Sequence, residues 1–537
     1  MADWPALSRP TGEGEGTDDM GALGGLWFPG ARSDTLRDRG PTLLMAPRVP
    51  AAFAARHPPC YRSRAMKTPF NLFRPLCLAL AAVVHQAAGQ PAAAPSLTNV
   101  VPSAGGWLLS WEGTTNGAAY TVQYKEALAD GIWRMPATRT PFPVSSNQWY
   151  DPVATNAGRF YRLAGVTPAA RGRLLAVTYA TTLPVSTLAF LFSYAGISIT
   201  PEYGVALYKI DYETITPWGD QTLASGAIAL PVGTPGAVPL VSYQHGTIAL
   251  TNDPPSSMDI NGEIMVGIAF ASAGYAAVLA DYLGMGDSPG FHPYHHAISE
   301  ATACVDMLRA ARTFCATNDT ALNGRLFLCG YSQGGHSTMA LLRELEAYHT
   351  NEFQVTACAA MAGAYDLSGT TANDLLNNVP NPNPYYFPYL LAAYQSVYHL
   401  GASFSNLLAA PYSATLPPLF NGNNDSPALN AALPATNFVQ ILDPAYLAAL
   451  VANPRHPLRL ALQENDVYRW TPVTPLRLYQ CSGDQDVDPA NAAVALAWFQ
   501  THGAPQVQFF DPLPGASHVN CAEPSLFAAK LWFDSFP

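Results

Sequence analysis

From residue 171 onward, continuous apolar runs are separated by stretches with helical periodicity, a pattern that predicts a mostly parallel sheet covered by helices on both faces. The runs place strands at 205–212, 225–230, 238–243, 276–282, 325–331, 355–362, 476–481 and 507–510. The apolar segment 183–199 is broken by Pro184, Ser186 and Tyr194, so it is read as a packed helix and not as a membrane span. Residues 95–165 differ in kind. Short β-rich runs at 107–111, 120–124 and 159–163 alternate with turn residues at 114–117 and 129–131, the signature of a small all-β domain. Between the runs at 355–362 and 476–481, the segment 366–475 is too long for a plain connection, and it predicts a cap inserted over the sheet. Its aromatic stretch, Tyr385, Tyr386, Phe387, Tyr389 and Tyr394, is expected either to line a pocket or to form the core of the cap.

At 537 residues the chain has room for two domains and some processed sequence. Charged residues make up 12% and hydrophobic ones 49%, which suits a large core; a formal net charge of −11 leaves no basic stripe for phosphates and excludes nucleic acid as the expected partner. Met66 and Lys67 lead through Arg74 into an apolar run at 76–84 that closes on Ala87, Ala88 and Gly89. This reads as an export signal at 66–89, cleaved near Gly89, with residues 1–65 an extension upstream of the functional start and no stable membrane anchor. Export permits disulfides. Six cysteines remain beyond the signal, at 304, 315, 329, 358, 481 and 521, and Cys481 and Cys521 form the expected pair because each lies near a candidate site residue. No Cys-x-x-Cys spacing suggests zinc.

The candidate chemistry centres on Gly330, Tyr331, Ser332, Gln333 and Gly334, which join a predicted strand to a predicted helix. A strand, a sharp Gly-x-Ser-x-Gly turn and a helix form a nucleophile elbow, making Ser332 the expected attacking group. Ser288, in a second such motif, is followed by Pro289, which has no N–H to offer a developing oxyanion. A serine needs a base and the base needs an acid, and in a sheet of this design both follow on loops after later strands. Asp486 is the expected acid, with Asp484 the alternative and Asp488 a helix cap; His518, between the last strand and the last helix, is the expected base. Gln333 and either Gly246 or Thr247 are the expected oxyanion donors. His292, His295 and His296 lack a carboxylate at ligand spacing and are read as loop and helix-start residues; His336, one turn beyond Ser332, is expected to be structural.

The order of Tyr243-Gln244-His245-Gly246-Thr247, Asp281-Tyr282-Leu283-Gly284-Met285-Gly286, Gly330-Tyr331-Ser332-Gln333-Gly334, 483–486 and His518 resembles the α/β-hydrolase superfamily across roughly residues 200–537. Gly363-Ala364-Tyr365-Asp366-Leu367 and Asn465-Asp466-Val467-Tyr468 are similar to secretory lipases and esterases. The resemblance implies cleavage of small-molecule or lipid carboxylic esters through an acyl-enzyme, without a cofactor or metal. The acid loop is a residue shorter than the pattern of that family, which leaves the choice among the three aspartates open. Residues 95–165 resemble a fibronectin type III-like sandwich, with a spacer or folding role expected. Two other readings are a serine exopeptidase of the same fold, which would need a charged anchor such as Glu464, Asp466 or Arg469, and a binding protein on a hydrolase scaffold.

Overall fold

Alternate residues of the central strands face opposite ways, and that alternation builds two cores. In the computed structural model, which describes residues 95–537 apart from 104–105, 113–117, 137–141, 152–158 and 435–437, the expected export signal and upstream extension lie outside the described residues. Among the described residues the first β region has strands β1 (Ser96–Ser103), β2 (Gly106–Glu112), β3 (Ala119–Lys125), β4 (Gln148–Asp151) and β5 (Phe160–Val166). The large sheet follows with β6 (Leu174–Leu183), β7 (Gly204–Ile215), β8 (Gln221–Val232), β9 (Val238–Gln244), β10 (Ala276–Ala280), β11 (Leu322–Tyr331), β12 (Ala357–Met361), β13 (Leu476–Tyr479) and β14 (Val507–Phe510).

The nine strands run in the order β14-β13-β12-β11-β9-β10-β8-β7-β6. Neighbours from β14 to β10 pair in parallel, whereas β8 meets β10, and β7 and β6 follow, in antiparallel register. Helices cover both faces: α1 (Val185–Ala195), α2 (Ile264–Ser272), α3 (Ala297–Thr317) and α4 (Gln333–Tyr348) come before the insertion. The insertion carries α5 (Ala372–Leu376), α6 (Tyr386–Tyr398), α7 (Tyr412–Thr415), α8 (Ser426–Ala431), α9 (Pro444–Ala452) and α10 (Pro457–Glu464), after which α11 (Ala490–Thr501) and α12 (His518–Asp534) complete the layers.

Leu326 and Leu328 point into one core with α3, α4 and α11, while Phe327 and Cys329 point into the other with α1, α2 and α12. The same division runs through β10, where Val278 and Leu279 face opposite cores. Burial on both faces explains why these strands are continuous apolar runs, and truncating Phe327, fully buried, to alanine would cost about 3–5 kcal/mol. The edge strand β6 has no such signal. All of its residues are exposed or half-buried, so no apolar run marks it.

The antiparallel strands of the first region form two small sheets, β1-β2-β4 and β3-β5, around Leu109, Trp111, Tyr120, Val122, Val144 and Trp149. They do not stand apart from the rest. Asp130 accepts from Arg455 Nε and Nη2 at 2.7 and 2.6 Å, the Met135 amide donates to Glu464 at 3.2 Å, and Ile132 is buried in the hydrophobic core of the insertion.

Candidate active site

Ser332 sits between β11 and α4 with φ 60° and ψ −122°, a left-handed backbone that a residue with a Cβ adopts only under strain, costing about 1–3 kcal/mol. Glycines make the turn possible. A Cβ at Gly334 would fall 1.9 Å from the Gln244 carbonyl oxygen, and one at Gly335 would fall 2.2 Å from that of Met361, so helix and strands approach too closely for any side chain. Ser288, by contrast, lies in the loop between β10 and α3, away from any strand-to-helix elbow.

The amide of Gln333 opens α4, and among the described residues nothing accepts from it; the helix dipole there favours negative charge. Of the two other expected donors, Gly246 sits against the serine, a Cβ built on it lying 3.8 Å from the Ser332 Cβ. Its N–H, however, is directed at the buried Glu263 carboxyl, 3.3 Å away, and this corrects the expectation that it is free for an oxyanion. Among the described residues no group accepts from the Thr247 N–H, while the Thr247 hydroxyl is within 2.8 Å of Tyr294 Oη.

His518 opens α12 beside the elbow, where Tyr331 Oη donates to its carbonyl at 2.6 Å and the two rings lie 4.9 Å apart. Its Nδ1 donates to Asp484 Oδ2 at 2.6 Å. The ring therefore meets Asp484 and not the expected Asp486. The cause is the turn itself: Asp484 Oδ1 accepts from the amides of Asp486 and Val487, both at 3.0 Å, so this carboxylate folds inward over the loop while Asp486 turns out. Asp486 Oδ1 instead accepts from Asn383 Nδ2 at 2.5 Å, in the wall of the insertion. Asp488 accepts from the Ala490 amide at the start of α11, the capping role expected of it.

Three contacts clamp the acid and histidine loops together. Cys481 and Cys521 are disulfide-bonded as expected, the Gly515 amide donates to Ser482 Oγ at 3.0 Å, and Gly483 packs so closely on the Gly515 carbonyl that a Cβ would lie 2.2 Å from it. Burial disfavours the His518 cation, but the hydrogen bond and charge of Asp484, with a smaller contribution from Asp486, outweigh it and raise the ring above its ordinary value of 6.5.

A cavity of about 450 Å³ lies between sheet and insertion, with Ser332, Asp484 and Asp486 on one side and Tyr386, Phe387 and Leu390 on the other. Only part of the aromatic stretch faces it. Tyr385, Tyr389, Leu391, Tyr394 and Tyr398 are buried in the core of the insertion, while Phe387 and Leu390 belong to that core and also line the cavity.

Residues 260–530 match the family model described as Alpha/beta hydrolase family. The chain belongs to this hydrolase family. No curated protein matches it. Among solved structures, the rice cell wall degrading esterase LipA from Xanthomonas oryzae is similar at 31% identity and a TM-score of 0.59, with 68% of this chain and 96% of LipA covered. A protein of Legionella pneumophila, provisionally assigned as a hydrolase, is 28% identical with a TM-score of 0.63, covering 68% of this chain and 98% of its own. Candida antarctica lipase A shares the fold at 18% identity, with a TM-score of 0.51 and coverage of 68% and 83%. As an alpha/beta hydrolase, the chain places Ser332, Asp484 and His518 beyond the carboxyl ends of parallel strands β11, β13 and β14, the side of the sheet where this fold assembles its sites.

Proposed function

We propose that the protein is an exported serine hydrolase of carboxylic esters, acting on a small-molecule or lipid ester. The observation that carries this reading is a strained serine at the wall of a cavity, whose chain neighbour Tyr331 packs on a histidine with its Nδ1–H held by Asp484. With the proton fixed on Nδ1, Nε2 keeps its lone pair and serves as base. Ser332 Oγ attacks the ester carbonyl as His518 takes its proton, and Asp484 stabilises the imidazolium. The amides of Gln333 and Thr247 receive the oxyanion. His518 returns the proton to the leaving alcohol, and water, activated by the same ring, releases the acid from Ser332. No cofactor enters these steps.

Export is supported by the signal-like segment at 66–89 and by the Cys481–Cys521 bridge, which belongs to an oxidising compartment. Among the described residues no helix is long and apolar enough to cross a membrane. The fibronectin type III-like reading of residues 95–165 is supported by two small antiparallel sheets packed on a Trp-containing core, and the contacts of Asp130, Ile132 and Met135 suit a buttress for the cap.

A second reading, hydrolysis at a peptide amino terminus, has one observation in its favour: Asp374, Asp486 and Asp488 line the cavity and would attract an ammonium group. The anchors first expected for it are engaged elsewhere, Glu464 with the Met135 amide and Asp466 with Ser368 and Arg469. Turnover of p-nitrophenyl esters of graded chain length and of aminoacyl anilides separates the two, using chain from residue 90 onward. Ester turnover that disappears in Ser332→Ala is the expected result. Preferential anilide turnover would overturn it.

A further inference from the structure

The histidines set aside as a loop feature gather beneath the first turn of α4. Gln333 Nε2 is 2.8 Å from His292 Nε2 and 2.9 Å from Glu300 Oε1; Glu300 Oε2 is 2.8 Å from His336 Nδ1; and His336 Nε2 is 2.9 Å from the Asn465 carbonyl oxygen. Hydrogen positions follow from what each atom faces. The two amide hydrogens of Gln333 go one to each acceptor, so His292 Nε2 is bare and its Nδ1 donates to the Leu283 carbonyl at 2.8 Å. Burial keeps that ring neutral, pulling it down to about 4. His336 is in a different position. Both its nitrogens face oxygens, those of the Glu300 carboxyl and the Asn465 backbone carbonyl, so the ring is held by hydrogen bonds on both sides. Burial alone would raise Glu300, but the adjacent His336 and the Gln333 amide reverse this and bring it to about 2.

We propose that Glu300 and His336 form a buried ion pair that positions Gln333, and hence its backbone N–H, for the oxyanion. The proposal rests on the ester-hydrolase reading. A carboxylate is the strongest available anchor for the Gln333 side chain, but an uncompensated anion at that helix end would oppose the negative charge that the transition state develops. The second proton of His336, retained by Asn465, removes the conflict. Neither residue reaches the cavity, so both are positioning residues. Glu300, His336 and His295 also bring possible metal-ligating atoms within 4.8 Å of one another, and the neutral His295 ring, lowered to about 3 mainly by burial, packs edge-on against His336 at 4.7 Å. In the ion-pair arrangement the site needs no metal, since both nitrogens of His336 are already bonded.

The test measures kcat and KM on an ester that the wild type turns over and Ser332→Ala does not, which secures the underlying reading first. His336→Gln strands the Glu300 charge and is expected to lower kcat about 100-fold, with KM changed less than about twofold. Adding Glu300→Gln to that variant removes the stranded charge and is expected to recover at least about tenfold in kcat. Thermal unfolding checks that each variant folds. Should His336→Gln fail to fold, Glu300→Gln alone is expected to lose about tenfold in kcat at unchanged KM. A folded His336→Gln with wild-type kcat, a double variant no better than the single, a fully active Glu300→Gln in the fallback, or one equivalent of metal in the wild-type protein by elemental analysis would each overturn the proposal.

Discussion

Asp484 and His518 are 34 positions apart in the chain and meet at 2.6 Å, with Gln480 Nε2 also donating to the same carboxylate oxygen at 2.8 Å. The acid is therefore fixed from three directions: by the ring, by Gln480 and by the amides of its own turn. An aspartate so held presents its charge to His518 without reorganising when the imidazolium forms.

The pairing separates two neighbouring aspartates. Asp484→Asn, which favours the wrong tautomer of the ring, is expected to lower kcat about 10⁴-fold, and Asp486→Asn less than about tenfold. Steady-state kinetics of the two variants on one ester checks this.

The pH profile carries the same pairing. His518 acts as base only when neutral, and its ordinary value of 6.5 is raised in the folded protein, so kcat/KM should fall as pH drops through a midpoint above 6.5. In Asp484→Asn the raising contribution is lost while burial still disfavours the cation, so the acid limb of the residual activity should move to lower pH. For stability the sign is opposite to that of a depressed carboxylate: the raised ring contributes stability that is complete below 6.5 and is lost as pH rises through its folded value. Urea unfolding of wild type and His518→Gln at pH 5.5 and 9 reads that difference.

The Cys481–Cys521 bridge closes a loop with a sequence separation of 40 that contains the acid loop, α11, β14 and the approach to His518. Chain entropy gives it about 4 kcal/mol. Replacing both cysteines with alanine is expected to lower the urea midpoint accordingly and to reduce kcat through looser placement of His518. Cys304, Cys315, Cys329 and Cys358 are free and buried, so the same substitutions there should leave the acid–histidine geometry intact.

Cap mobility should be unequal. Asp130 is buried and holds Arg455 through two hydrogen bonds at the start of α10, whereas the cavity wall at 379–383 is tied to the acid loop by Asn381 and Asn383. Hydrogen exchange is expected to show stronger protection over 455–464 than over 374–383. Asp130→Ala should remove that advantage at a cost of about 1–3 kcal/mol. Equal protection along the whole cap would refute the picture of a cap fixed at one end.

How much of this was legible in the sequence follows from what each element must satisfy. Parallel strands buried on both faces have to be apolar throughout, so β9 to β13 could be read with small errors at their ends, and the sharp turn at Ser332 left its glycines in view. The edge strand β6 needs no buried face and left no pattern. Asp484 and Asp486 could not be separated because both lie in one short loop and the choice depends on which carboxylate folds back over its own turn to meet His518. The same holds for Gly246, which loses its N–H to Glu263, a residue that the strand pattern does not bring near it. Glu300 carried no motif at all; its role becomes visible only when α3 and α4 lie side by side.

The most direct measurement is mass spectrometry of the chain after reaction with a fluorophosphonate that mimics the ester. The account predicts one adduct per chain, on the peptide carrying Ser332, formed at a rate that falls steeply in His518→Ala. An adduct on another residue, or undiminished labelling of Ser332→Ala, would contradict it.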